Sequence, residues 1–152
     1  SIFTVLLGKA EILKTGDDIT IVSYGSTLRL VEKAAIELEK LNINIEIIDL
    51  QTLIPFDNDL IIKKSLKKTN KLFIVDEDLP GGASSYILQK VIEDQNAFEF
   101  LDSKPITLTS KAHRPAYGSD GDYFSKPSVD DIIEKANYIM NEYDPENYPE
   151  IF

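Results

Sequence analysis

The stretch "AHRPAYGSDGDYF", Ala112–Phe124, gathers residue types that do chemistry: the only histidine of the chain, an arginine, two tyrosines, and aspartates beside glycines. With no second histidine, His113 cannot belong to a multi-histidine metal site within this chain. A Ser–His–Asp triad would need a serine on a strained elbow, and no G-x-S-x-G occurs. "SDGD" (Ser119–Asp122) has calcium-ligand types but neither the spacing nor the closing glutamate of an EF-hand loop. Asp76, Glu77 and Asp78 could hold a hard cation or work as acid and base. No second ligand cluster stands at a suitable spacing, so they read as a solvated acidic loop. "SYGST" (Ser23–Thr27) could cradle phosphate at a helix start, but without GxGxxG or a P-loop lysine it reads as a tight turn. Gly81–Gly82 reads as a turn whose backbone runs close to a neighbour. His113 and Arg114 either meet an anion or a partner surface, or bond the carbonyls of their own loop. Residue types alone leave both open, and they complete no catalytic set.

Patterned segments must position these loops. "DDITIVSYG" (Asp17–Gly25), "INIEIIDL" (Ile43–Leu50), "KLFIVDED" (Lys71–Asp78) and "KPITLTS" (Lys104–Ser110) are apolar, β-branched runs of strand length. Between them, Leu28, Val31, Ala35, Leu38 and Leu41 recur at helical spacing after Ser26, a candidate N-cap. Asp57 can cap a helix through "NDLIIKKSLKK", whose four lysines are expected in its C-terminal turns, where they suit the helix dipole. "GGASSYILQKVIED" is a third helix, and "PSVDDIIEKANYIM" a fourth, with Ser128 and Asp131 spaced as a capping box. Alternation of this kind predicts parallel strands joined by right-handed crossovers, with helices on both faces. "GKAEILK" (Gly8–Lys14) can add an antiparallel edge. The expected architecture is α/β: a three-layer α/β/α sandwich on a mostly parallel sheet of about five strands.

At 152 residues the chain fits one domain spanning 1–152, long enough to bury roughly two thirds of its unfolded surface. Residues 141–152 form an acidic, proline-punctuated tail expected to lie over the surface or reach a neighbour. A net charge of −10 disfavours nucleic acid and anionic membrane and suits a basic protein partner. No cysteine is present, which removes disulfides and thiol chemistry. No apolar run approaches the roughly 20 residues of a membrane span. The start "SIFTVLLGKA" lacks the basic region of a signal peptide and reads as a segment entering a domain. The expected location is cytoplasmic.

Four phrases then stand together: "DDITIVSYGSTLRLVEKAAIELEK", "INIEIIDLQTLIPFD", "KLFIVDEDLPGGAS" and "KPSVDDIIEKA". In order and spacing they resemble the C-terminal domain of the transketolase superfamily, most specifically at Asp49-Leu50, Thr52-Leu53, Pro55 and Asp57. The likeness runs from about Gly8 to about Met140. It is nearest the beta half of the decarboxylating first component of 2-oxo acid dehydrogenase complexes, pyruvate and branched-chain type. That resemblance implies thiamine diphosphate-dependent decarboxylation followed by reductive acylation of a lipoyl group on the second component. It also implies that other domains carry the catalytic residues, thiamine diphosphate and magnesium. The family's GDG followed by a double asparagine is missing; Asp120-Gly121-Asp122 has the wrong order. No catalytic, cofactor-binding or metal residue is carried over.

The role implied is an assembly and docking domain, inactive alone, within a homo-oligomeric enzyme. The family's beta halves carry a shorter "VPY"-like stretch where this chain has Ala112–Phe124, and the longer form resembles enzymes with both halves fused. His113, Arg114 and Tyr117 are therefore expected to contact the other domains, arginine and tyrosine being favoured interface anchors. By resemblance, Glu146, Glu150 and Phe152 are expected to dock the basic subunit-binding domain of the lipoyl acyltransferase. Two alternatives remain: the same domain of a transketolase or deoxyxylulose-phosphate synthase, and a free-standing flavodoxin-like binding module.

Overall fold

The computed structural model describes residues 7–113 and 123–151. Five strands form one sheet: β1 (Glu11–Lys14), β2 (Ile19–Ser23), β3 (Ile45–Asp49), β4 (Leu72–Val75) and β5 (Ile106–Leu108). Their spatial order is β1-β3-β2-β4-β5, with β1 antiparallel to β3 and every other pair parallel. The helices are α1 (Thr27–Lys40), α2 (Ile61–Thr69), α3 (Ala83–Gln89) and α4 (Val129–Tyr143). This is the three-layer architecture expected from the alternating runs, including the antiparallel edge.

The pleat explains why both faces need helices. Ile19, Ile21, Ile45, Ile47, Phe73 and Val75 point to one side, where they pack with Val31, Ala35 and Leu38 of α1 and Ile132, Ala136 and Met140 of α4. Val22, Ile48 and Ile74 point to the other, against Ile62 and Leu66 of α2 and Ile87 of α3. Alanines at 34, 35 and 136 let α1 and α4 approach closely over the first face. On the second face the Thr20 hydroxyl lies 2.6 Å from both the Ser65 and Thr69 hydroxyls, so this buried polar spot is satisfied internally.

Caps decide where the helices begin. Ser128 accepts from the Asp131 amide at 3.1 Å while the Asp131 carboxylate accepts from the Ser128 amide at 2.9 Å, the reciprocal box read from the sequence. Ser26 precedes α1 but makes no cap: its own backbone is already helical, and its hydroxyl turns toward Glu77 at 3.4 Å. Asp57 caps α2 from a distance. Its carboxylate, 1% exposed, accepts the Ile61 and Ile62 amides at 2.9 Å each and the Gln95 side-chain amide at 3.1 Å. Leu60, in a left-handed conformation, holds the N-cap position itself. Because α2 starts only at Ile61, Lys63 and Lys64 fall in its first half and only Lys67 and Lys68 lie in its last turn. The expected lysine cluster at the C-terminal end is thus halved.

Other elements depart in detail from the segments read in the sequence. The third helix changes at Lys90 into a π-helical segment (Lys90–Asp94), and a short 3-10 helix follows (Ala97–Phe100). Beyond β5, β6 (Lys111–His113) pairs antiparallel with β7 (Tyr123–Ser125). The fourth helix runs to Tyr143, three residues past Met140.

The capping geometry orders three substitutions. Asp57→Ala should lower stability by about 3 kcal/mol, since it strands three buried donors. Ser128→Ala should cost about 1 kcal/mol and Ser26→Ala less than about 0.5 kcal/mol. Urea midpoints at unchanged m-value measure the ranking, and a Ser26→Ala loss as large as that of Ser128→Ala would contradict it.

Candidate functional site

The carboxyl ends of the parallel strands bring together the loops singled out above, the place where sheets of this type bind ligands. Strand β2 leads to Tyr24 and to Gly25, whose φ of +64° suits glycine. Strand β4 leads to Asp76-Glu77-Asp78 and the double glycine, and β5 to Ser110 and the β6–β7 hairpin.

The acidic triplet differs from the solvated loop expected. Asp76 is 1% exposed, its amide donates to the Leu108 carbonyl at 2.9 Å, and this bond extends the β4–β5 pairing. Its Oδ1 accepts the Tyr24 hydroxyl at 3.0 Å and the Asp78 amide at 3.1 Å, while Oδ2 is buried without a partner among the described residues. The Asp78 carboxylate turns back on its own loop, accepting from Leu79 N at 2.8 Å and from Ala83 N at 3.3 Å. Ser110 closes the arrangement: its amide donates to the Asp78 carbonyl at 3.0 Å and its hydroxyl to the Glu77 carbonyl. The Glu77 and Asp78 side chains are exposed, with Glu77 3.4 Å from Lys126. The carboxylates therefore build a turn rather than a reactive cluster.

The double glycine belongs to the same turn. A Cβ at Gly82 would stand 2.4 Å from Asp78 Oδ2, which is the close approach expected there, and Gly81 has φ +86°. At Gly25 no atom lies within 4 Å of a Cβ position, and Leu28 N and Arg29 N donate to the Gly25 and Ser26 carbonyls. "SYGST" is a tight turn with these first amides already engaged.

The remaining predicted residues lie in two places. His113 ends β6 opposite Tyr123, while Arg114 and Tyr117 fall outside the described residues. The tail folds back along α4. Asn137 Nδ2 donates to the Pro149 carbonyl at 3.2 Å, Asn141 Nδ2 to the Tyr148 carbonyl at 2.9 Å, and Ile151 N to Asn137 Oδ1 at 3.3 Å. Tyr148 packs on the core, and burial pushes its phenol pKa up. This brings Glu150 to a cleft of about 130 Å³ that it shares with Glu134, Asn137, Tyr138 and Asn141. Glu146 is exposed, and Phe152 lies outside the described residues. Asn137 and Asn141 were missed from the sequence, although two asparagines four apart on a helix share a face and can together hold a segment laid across it.

Among the described residues no three of His, Cys, Asp and Glu stand close enough to hold a metal ion. The oxygens of Asp78 are committed to backbone amides.

Fold and loops together define a domain class, and the comparisons agree with it. The family model "Transketolase, C-terminal domain" matches residues 8–127. The chain belongs to that family. It is 36% identical over 138 residues to "Pyruvate dehydrogenase E1 component subunit beta" of Rhizobium meliloti, covering 90% of this chain and 29% of that protein. The subunit of the same description from Mesostigma viride is 37% identical over 138 residues, covering 91% of this chain and 42% of the relative. A mitochondrial beta-2 subunit of Oryza sativa is 34% identical, with 90% and 36% covered. The chain thus spans well under half the length of these relatives. A solved structure described as "Split gene transketolase, inactive beta4 tetramer" superposes with a TM-score of 0.66 over 90% of this chain and 43% of that one, at 21% identity. It supports the fold.

Tyr24 gives this edge a pH signature. Burial first, then the hydrogen bond to Asp76 and the charges of Asp76, Asp78 and Glu77, push its pKa well above the ordinary tyrosine value. The folded state therefore holds this proton more tightly than the unfolded chain does. The resulting stability is complete below about pH 10 and is lost as pH rises toward the folded pKa. Tyr24→Phe should lose stability at pH 7, because Asp76 forfeits a donor, and should decline less steeply than the parent between about pH 10 and 12. Urea midpoints across that range test it, and parallel declines would contradict it.

Proposed function

We propose that this chain is the C-terminal assembly and docking domain of the beta half of a thiamine diphosphate-dependent 2-oxo acid dehydrogenase, pyruvate or branched-chain type, in the fused alpha–beta form. The observation that carries the reading is 34–37% identity to pyruvate dehydrogenase E1 beta subunits across nine tenths of the chain. The turned-in carboxylates of Asp76 and Asp78 support a structural rather than a catalytic part in it. Other domains of a homo-oligomeric, cytoplasmic enzyme would bind thiamine diphosphate and magnesium. The cofactor supplies the decarboxylation, and the acyl group passes to a lipoyl group on the acyltransferase.

Two surfaces serve this role. His113, Arg114 and Tyr117 are the contacts assigned to the other domains. The tail, with Glu146, Glu150 and Phe152, docks the basic subunit-binding domain of the acyltransferase. Support for the second is electrostatic: Glu134 and Glu150 flank Tyr138, half-exposed at the cleft, and the chain carries −10.

The longer polypeptide carrying this chain should decarboxylate pyruvate or a branched-chain 2-oxo acid only when thiamine diphosphate and magnesium are supplied. Turnover without the cofactor, or none on either substrate class, would sink the reading. Within that enzyme, Glu150→Lys should weaken capture of the acyltransferase about ten-fold at low salt while leaving decarboxylation unchanged. Arg114→Ala should weaken assembly, and unchanged assembly with unchanged turnover would remove that contact.

A further inference from the structure

The loop after β3 is stiff, yet it presents an apolar tip. Thr52 Oγ1 donates to the Pro55 carbonyl at 2.8 Å, and the Tyr86 hydroxyl donates to the Leu53 carbonyl at 3.1 Å. The Phe56 and Tyr86 rings meet edge to face at 6.1 Å, and Asp57 is held as described above. On this fixed frame Ile54 is 79% exposed, the most exposed large apolar side chain among the described residues. Beside it opens a cavity of about 430 Å³, lined by apolar and aromatic residues such as Phe56, Leu60 and Tyr86 and equally by polar ones such as Asn58, Lys90 and Asp94. Gln95 forms part of its wall. Because its Nε2 is committed to the Asp57 carboxylate, its Oε1 is left buried without a partner among the described residues. Lone exposed apolar residues are ordinary. A rigid loop that holds one beside a half-open cavity is the form of a preorganised anchor.

The incoming chain is tied to this same loop. Gly8 N donates to Thr52 Oγ1 at 2.9 Å, Asn58 N donates to the Gly8 carbonyl at 2.8 Å, and Lys9 pairs with Asp59 at 2.7 Å. A Cβ on Gly8 would lie 2.3 Å from the Asn58 side chain, so the approach is closed to any larger residue. Leu7, 69% exposed, adds a second apolar side chain. Around the mouth Lys9–Asp59 and Lys90–Asp94 cancel in pairs and the buried Asp57 carboxylate remains in the cavity wall, a small charge beside the −10 of the whole chain. The complement is therefore a surface of low net charge that offers an apolar contact to Ile54 and polar groups to the cavity wall, unlike the basic partner suited to the tail.

We propose that the 52–60 loop, with Ile54 as anchor and the cavity behind it, is the face on which the polypeptide preceding this domain docks in the longer protein. The inference rests on the reading of the chain as the C-terminal part of a longer enzyme half. The family match begins at residue 8, the residue stapled to the loop, and the relatives are more than twice as long. Their remaining length supplies an occupant covalently bound to arrive beside Ile54.

Hydrogen exchange on the longer protein tests this without reference to turnover. Amides of residues 52–60 should be protected in the parent, and Ile54→Glu should speed their exchange about ten-fold while β2–β4 amides stay protected. Ile36→Glu, a change at a 58% exposed position on α1, should alter neither set. Free exchange of 52–60 in the parent, no response to Ile54→Glu, or protection that depends on protein concentration would each overturn the docking face. Decarboxylation is scored separately. A protected, Ile54-dependent loop in a protein inert toward 2-oxo acids would keep the face and remove the enzyme reading alone.

Discussion

Much of the second face of the sheet depends on one buried carboxylate. Asp57 accepts from the first two amides of α2 and from Gln95, so a single side chain fixes the end of the loop after β3, the start of a helix, and the exit of the π-helical segment. A carboxylate held away from water is tolerable only when its oxygens are engaged by donors. Here three donors supply that condition, and in return α2 can begin at Ile61 with Ile62 and Leu66 against the sheet. The left-handed Leu60 is the local expense of letting a residue four positions upstream do the capping. The geometry of the Ile54 tip follows from the same constraint, because the loop has no slack between β3 and its capped end.

The opposite half of the carboxyl edge uses acidic side chains in the same way. Asp76 accepts from Tyr24 and from the Asp78 amide through Oδ1, and Asp78 accepts from the Leu79 and Ala83 amides, so these carboxylates tie the end of β4 to that of β2 and shape the turn into α3. The glycine at 82 leaves room for the Asp78 carboxylate. Both halves of the edge thereby become stiff and chemically quiet. A stiff surface loses little conformational entropy when it is covered, which suits association better than catalysis.

Strands and helices were legible because their signals are local and repeated. Ile19–Ser23 and Ile45–Asp49 are apolar on both faces, and only a sheet covered twice can bury them. Ser128 was legible for a similar reason, since its partner Asp131 stands three residues away. Ser26 looked equivalent and is not: its competitor, Glu77, is distant in sequence and visible only after folding. The acidic triplet misled for the same cause, as the burial of Asp76 depends on Tyr24 and on the β5 strand. The π-helical segment and the β6–β7 hairpin have no composition of their own; packing and pairing impose them. The candidate surfaces lay between these extremes. Glu150 was singled out by the family resemblance, but its neighbours in the cleft come from a helix that Asn137 and Asn141, reaching out to the tail backbone, bring beside it.

These surfaces differ in kind, and the difference bears on what they can hold. The tail cleft is acidic and half-exposed, so attraction there is long-ranged, screened by salt and easily reversed. The mouth beside Ile54 carries little net charge and lies next to the Gly8–Thr52 contact. Contacts there gain from covalent attachment, which raises the effective concentration of the occupant and leaves little need for charge to steer it. A domain that must stay joined to its own polypeptide while exchanging a separate partner needs both kinds of surface, held apart. The sheet separates them: the 52–60 loop leaves β3 on the side packed by α2, whereas the tail lies along α4 on the opposite face. With the sheet between the two, contacts made at the tail cleft and contacts made beside Ile54 share no side chain.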